Sequence, residues 1–337
     1  MSKQIGRQTI TFPSKPTITA SACMVGKRES AGPLGHTFDY ASDDTTFGEK
    51  TWEKSEARMQ KDTLQYLCNK SKLTLENIDL ICAGDLLDQC VGSSFGLRES
   101  SLPFLGLYGA CSTMAEGLLV ASMAVDGQYA QNAVAMTSSH FCTAERQYRM
   151  PLEYGGQRLP TAQWTVTGAG GCVISAQTAE NLPRISQALI GKIVDCGITD
   201  AGHMGGAMAP AAYESIIAFW QDTDTKPSDY DLILTGDLGI VGKSILEDLL
   251  KTDGYDLGDR LQDCGAMIYD INTQDVHAGG SGCGCSAVVL CGHVLERMRA
   301  KVWKKILFCG TGALLSPLSV MQGESIPGIC HIVCIEV

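Results

Sequence analysis

No stretch of this 337-residue chain approaches the ~18 consecutive apolar residues that a membrane-crossing helix needs. The opening, MSKQIGRQTITF, lacks the apolar run of a secretory signal, so a cytosolic-type compartment is expected. An excess of positive charge is missing too. Lys and Arg number 26 against 37 Asp and Glu, a net charge of −11 that excludes general attraction to nucleic acid or anionic lipid. Paired finger-type cysteines are absent: Cys283 and Cys285 form one C-x-C, so no structural metal is expected. Histidine is sparse, with six residues to supply any general base. Cysteine itself is plentiful. Fifteen residues at irregular spacing, an odd number without a signal segment, read as reduced and mostly buried thiols.

The chain repeats itself. Residues 57–81 lie without a gap on 209–233, at an offset of 152, with Leu64 on Ile216, Leu67 on Phe219 and Ile78 on Tyr230. Both segments read as an amphipathic helix, a polar turn and a strand beginning Asp-Leu-Ile. The strands run on as AGDLL and TGDLG, which sets Asp85 opposite Asp237. Further along, ACS (110–112) matches GCS (284–286) at offset 174, and NAVAMTSSH (132–140) matches KILFCGTGA (305–313) at 173. Alternating strands and helices favour sheets covered on both sides. Two such halves predict an α/β fold of five layers, α-β-α-β-α, with inner helices at 112–127 and about 286–299. The boundary is expected near TAENLPR (178–184), giving halves of 1–182 and 183–337. Polar, Gly/Pro-punctuated insertions at 27–50 and 141–167 predict loops, the second long enough for a binding role.

Cys111 stands in GACSTMAEG, between the strand-like LPFLGLY and a helical run. Gly-Ala before it permits a sharp strand-to-helix turn, and the N–H groups of the following helix favour thiolate. Asp85 and Asp237 follow strands, where a Gly-Asp caps a helix or fixes a turn, or else belongs to a ligand site.

The ACST turn, the duplication and the late CGTGALLSP (309–317) resemble the thiolase-like superfamily, which includes thiolases and ketoacyl-synthase-III-type condensing enzymes. Within it the chain is most similar to the stage V sporulation protein AD branch of spore-forming bacteria. SAGPLG (30–35), TSSHFCTAERQYRMPLEYGGQ (137–157), GITDAGHMGGAMAPAA (197–212) and AGGSGCGCSAVV (278–289) carry that likeness. It implies a thiolase-like fold in a protein that binds dipicolinic acid. It also implies membrane partners that load this acid into developing spores, a peripheral place at the forespore membrane, and a homodimer.

A condensing enzyme of this fold needs Cys, His and a second His or Asn. By the resemblance the His would follow the second-half strand, where Thr235, Gly236 and Asp237 stand. The Asn would lie where Ser281 or Gly282 stands. No catalytic residue is therefore expected beyond the vestigial Cys111. That thiol reads as a buried remnant, a ligand contact or, as the alternative function, the nucleophile of an acyl-thioester transferase. His140, His203 and His277 are the substitute bases to consider; His293 belongs to the second inner helix. For a flat aromatic dianion the expected contacts are Asp85, Cys111, His140, Arg146, Arg149, Asp237, Ser281 and Gly282. Guanidinium forks suit carboxylates. Arg158, Tyr148 and Tyr154 are further candidates, although these arginines equally suit Glu145 and Glu153. No cofactor is expected, except that calcium arriving with the ligand would draw on Asp85, Asp88 and Asp237.

Overall fold

A computed structural model describes residues 3–148 and 158–337. The first half contains β1 (Thr17–Gly26), α1 (Trp52–Ser71), β2 (Leu80–Gly84), β3 (Phe104–Leu107), α2 (Thr113–Asp126), β4 (Asn132–Ser139), α3 (Phe141–Tyr148) and β5 (Gly168–Ser175). The second contains β6 (Arg184–Leu189), α4 (Met204–Thr223), β7 (Leu232–Thr235), α5 (Gly239–Thr252) and β8 (Leu261–Asp263). It continues through α6 (Cys283–Val288), α7 (Leu295–Arg299), β9 (Lys305–Ala313) and β10 (Gly328–Glu336).

Strand order repeats between the halves. One sheet runs β3-β2-β4-β5-β1 and the other β8-β7-β9-β10-β6. In each, the first three strands are parallel and the last two join antiparallel. The sheets meet at one register pair, Arg184 with Thr17. The offset of 152 holds to the residue: α1 starts at Trp52 and α4 at Met204, and β2 at Leu80 and β7 at Leu232. Even the helix ends correspond, since Lys72 and Asp224 cap them in the left-handed conformation, φ 58° and 52°.

Strand periodicity sorts the core into layers. In β4, Val134 and Met136 face α1 together with Leu64 and Leu67, while Ala133 and Ala135 turn to the middle layer. In β9, Leu307 and Cys309 meet Ile216 and Phe219 of α4, while Ile306 and Phe308 turn inward. The middle layer holds Met114, Leu118 and Val125 of α2 against Val288, Leu290 and Val294. The five expected layers are therefore present. The second inner helix differs from a plain helix: α6 passes through a π-helical turn, Val289–Val294, before α7. Such turns relieve local crowding. Here Gly292 lies so near Cys23, Thr37 and Phe38 that a Cβ would meet atoms at 2.9–3.0 Å. His293 sits in this turn, edge-on to Trp303.

The insertions are more structured than loops. In the first, Tyr40–Ser42 pairs parallel with β1. The second contains α3 and a short strand, Trp164–Thr165, parallel to Gly280–Ser281. All fifteen cysteines are free and thirteen are buried. No described helix is long and apolar enough to cross a membrane.

Candidate functional site

The turn between β3 and α2 is strained at one residue. Ala110 adopts φ 52°, which costs an L-residue about 1 kcal/mol or more. Side chains hold it there: Ser112 Oγ donates to the Gly109 carbonyl at 2.7 Å, and Thr113 Oγ1 donates to that of Ala110 at 2.7 Å. The turn delivers Cys111 to the floor of a cleft of about 430 Å³. Thr165 and Ser281 share that floor. Leu86, Ala144 and Tyr148 form one wall, and Met204, Ala313 and Leu315 the other. The cleft therefore lies between the two halves, at the carboxyl ends of their central strands.

Beneath the floor stands Asp237, fully buried. Its Oδ2 accepts from the Gly282 N–H at 2.9 Å and from Ser281 Oγ at 3.1 Å; Oδ1 accepts from Thr311 Oγ1 at 2.9 Å. The Cys111 thiol completes this set of donors. Asp263 fixes the turn from behind, accepting from the Leu238 and Gly239 N–H groups at 2.8 and 2.9 Å and from Thr235 Oγ1 at 2.7 Å. Gly282 holds φ 101°, and a Cβ there would stand 2.8 Å from Ser139 Oγ, so this donor position requires glycine.

The electrostatics oppose a thiolate. Burial pushes the Cys111 thiol well above its usual value, and the neighbouring Asp237 carboxylate pushes it further by charge and hydrogen bonding. The helix-end N–H groups do not overcome this. Burial also raises Asp237, against the donors that favour its charged form. Asp263 is raised to about 7, by burial first and then by Asp237. At neutral pH the floor consequently presents a protonated thiol and hydroxyls.

Cys111, Asp237, Ser281 and Gly282 thus come together, whereas other candidates go elsewhere. Asp85 does not face the cleft. Its Oδ1 accepts from the Leu87 N–H at 3.0 Å and its Oδ2 from the Ser93 N–H and hydroxyl at 2.7 and 2.6 Å, capping the helix Val91–Leu97. His140 is buried with its Nε2 3.0 Å from the Thr45 carbonyl and its Nδ1 accepting from the Cys142 N–H, turned from Cys111. Burial lowers its pKa. Arg146 is bound to Glu53 and lies over Trp52, and helical spacing explains this. Ala144 and Tyr148, four apart, share the cleft face, and residue 146 falls on the opposite one. Arg158 donates to the Gln163 carbonyl and lies near Trp164. Arg149, Glu153 and Tyr154 lie outside the described residues. His203 begins α4, and His277 lies 2.9 Å from the Leu159 carbonyl; neither lines the cleft. Among the described residues no group of three or more His, Cys, Asp or Glu could hold a metal ion. Asp85, Asp88 and Asp237 are not such a set.

Sequence reasoning missed Thr311, Asp263 and Met204. Thr311 stands in CGTGALLSP, where it supplies the Asp237 donor. Met204 opens α4, and only the fold shows that this helix start faces Cys111. At the mouth, Tyr108 donates to Asp88 at 2.9 Å and lies 3.1 Å from the Tyr148 hydroxyl, beside consecutive left-handed residues Gln89 and Cys90.

The sequence profile of stage V sporulation protein AD (SpoVAD) matches residues 6–336. The chain belongs to that family. It is 46% identical to stage V sporulation protein AD of Bacillus subtilis (strain 168) over 334 residues, covering 99% of this chain and 98% of that one. Membership places the chain among sporulation proteins. Solved structures share the fold at low identity. The 3-oxoacyl-[acyl-carrier-protein] synthase III of Aquifex aeolicus matches with TM-score 0.57 at 12% identity, over 96% of this chain and 100% of that one. Cerulenin-bound OleA of Xanthomonas campestris matches with TM-score 0.59 at 13% identity, over 99% and 98%. These likenesses place the family member in the thiolase-like fold.

Proposed function

We propose that this sporulation protein binds dipicolinic acid in the Cys111 cleft, without condensing chemistry, as one component of a membrane-associated uptake system. The observation that carries this reading is the Cys111–Asp237 contact: the thiol meets a carboxyl group where a condensing enzyme needs a base. In this reading the pyridine ring lies along the apolar walls that include Tyr148 and Met204, and a carboxylate meets the Thr165 hydroxyl at the floor. Calcium, where it accompanies the acid, is carried by the ligand's own carboxylates. Calorimetric titration with dipicolinate, with and without calcium, tests the reading. Saturable binding weakened at least tenfold by Ala144→Trp supports it, and no heat at millimolar ligand refutes it.

A homodimer through the β3 edge belongs to the same reading. Phe104 and Leu105 are exposed on that edge strand, with Phe95 and Tyr108 beside them. An unpaired apolar strand edge invites a second strand. Light scattering of Leu105→Asp, expected to be monomeric, tests it; an unchanged mass for both proteins as monomers refutes it.

The strained Ala110 turn favours a second reading, acyl transfer through Cys111, because strain of this kind gathers at reactive positions. Intact mass after incubation with acyl-CoA decides: an adduct lost in Cys111→Ala would establish it, and no adduct removes it.

A further inference from the structure

A second cavity, with an empty volume of about 1240 Å³ that opens to solvent, lies behind the cleft on the other side of the strand Trp164–Thr165. It shares no lining residue with the Cys111 cleft. Its wall is aromatic: Phe141 and Trp164 stack 3.8 Å apart at 9°. The Arg28 guanidinium lies 3.8 Å from the Trp164 ring centre, and stacking on one face leaves it only the other. Arg28 also donates to the Asp275 carbonyl at 2.6 Å, so its plane is fixed from two directions.

Two cations stand side by side at this cavity. Lys27 and Arg28 both line it, and neither has an ion-pair partner among the described residues, whereas Lys61, Lys70, Arg58 and Arg299 do. Neither of the acidic groups nearby forms an ion pair with these two cations. Asp275 is largely exposed and reaches His277 Nε2 at 3.1 Å. Glu29 is buried in the wall, where it accepts from the Tyr269 hydroxyl and the Thr167 N–H. Burial raises its pKa. His140, also in the wall, is held toward its neutral form by burial. Two adjacent cations over an apolar, aromatic surface match an anion carried on a flat apolar body.

We propose that this cavity is a second ligand site, for a flat aromatic carboxylate. The carboxylate meets Lys27 and Arg28, and the ring lies along the edges of Phe141 and Trp164 that line the cavity. The inference is independent of what occupies the Cys111 cleft.

Cys142 provides a local reporter, because it lines this cavity and is half-buried, whereas Cys196 is exposed elsewhere. The probe is 2-naphthoate, and the readouts are calorimetry and alkylation of each cysteine by iodoacetamide, followed by peptide mass analysis. We expect saturable binding that slows alkylation of Cys142 several-fold and leaves Cys196 unchanged. Lys27→Gln and Arg28→Gln should each weaken binding about tenfold, the scale of one charge-assisted contact. Lys27 is exposed, so its variant folds even if removal of Arg28 disturbs Trp164. Three results would each overturn the proposal. These are no saturable binding at millimolar naphthoate, binding with Cys142 alkylated at the free rate, and binding unaffected by Lys27→Gln.

Discussion

Glu56 offers the sharpest test of the interior electrostatics. It lies on α1, wholly buried, 2.7 Å from the Thr143 hydroxyl and 3.1 Å from that of Ser138, both of which donate to it. Burial, then the charge of Asp85, raises its pKa from 4.5 to about 8. Below pH 4.5 the folded and unfolded chains both hold the proton, and the group is neutral with respect to stability. Between 4.5 and about 8 the unfolded chain has released it while the folded chain keeps it, so stability falls as pH rises. That interval, at about 1.4 kcal/mol per pH unit, amounts to about 5 kcal/mol. Glu56→Gln keeps the shape and the hydroxyl contacts but cannot ionise.

Urea unfolding of both proteins at about pH 5.5 and about pH 8.5 measures the effect. His331, lowered to about 4 by burial, works in the opposite direction at acid pH, and Asp263 works in the same direction up to about 7. Both act in both proteins and cancel in the difference. We expect the variant to gain several kcal/mol on wild type between the two pH values. Parallel stability curves would show that Glu56 is already ionised in the folded chain, and would refute the reasoning.

Replacing Asp237 with Asn removes the charge beside Cys111, so iodoacetamide should alkylate that thiol several-fold faster at about pH 8, as read by peptide mass analysis. An unchanged rate would mean that burial alone controls the thiol. Gly282→Ala forces an L-residue to φ 101° with its Cβ 2.8 Å from Ser139 Oγ, and should destabilise by about 2 kcal/mol or more in urea unfolding. Ser281→Ala deletes one of four donors to Asp237 and should cost about 1 kcal/mol by the same assay. Arg146→Ala should leave dipicolinate affinity within twofold by calorimetry, because Glu53 and Trp52 already occupy that guanidinium.

The duplication was legible because core periodicity and chain length are properties of the sequence itself. Helix starts and strand starts obey the offset of 152. Side-chain direction was not legible. Arg146 belongs to the right segment, yet its helical phase turns it away from the cleft. His140 ends the right strand, yet the Thr45 carbonyl holds its ring elsewhere. Thr311 and Asp263 carry no distinguishing pattern, since a threonine in a strand and an aspartate before a short helix are ordinary until distant residues meet them.

Asp85 and Asp237 show what the duplication became. They occupy equivalent places, after β2 and β7, and each is fully buried. In the first half the following residues form a helix, Val91–Leu97, whose Ser93 N–H and hydroxyl claim the carboxylate as a cap. In the second half Asp263 takes the N–H groups of Leu238 and Gly239, the start of the next helix, and so frees Asp237 from capping. A carboxylate freed in this way can turn to Ser281, Gly282, Thr311 and Cys111. One substitution would separate these roles. Asp263→Ala should release the 237–239 turn and draw Asp237 into the vacated cap, so Cys111 alkylation should accelerate as it does in Asp237→Asn. If Asp263→Ala leaves the thiol as unreactive as wild type in a folded protein, Asp237 does not depend on Asp263 for its place.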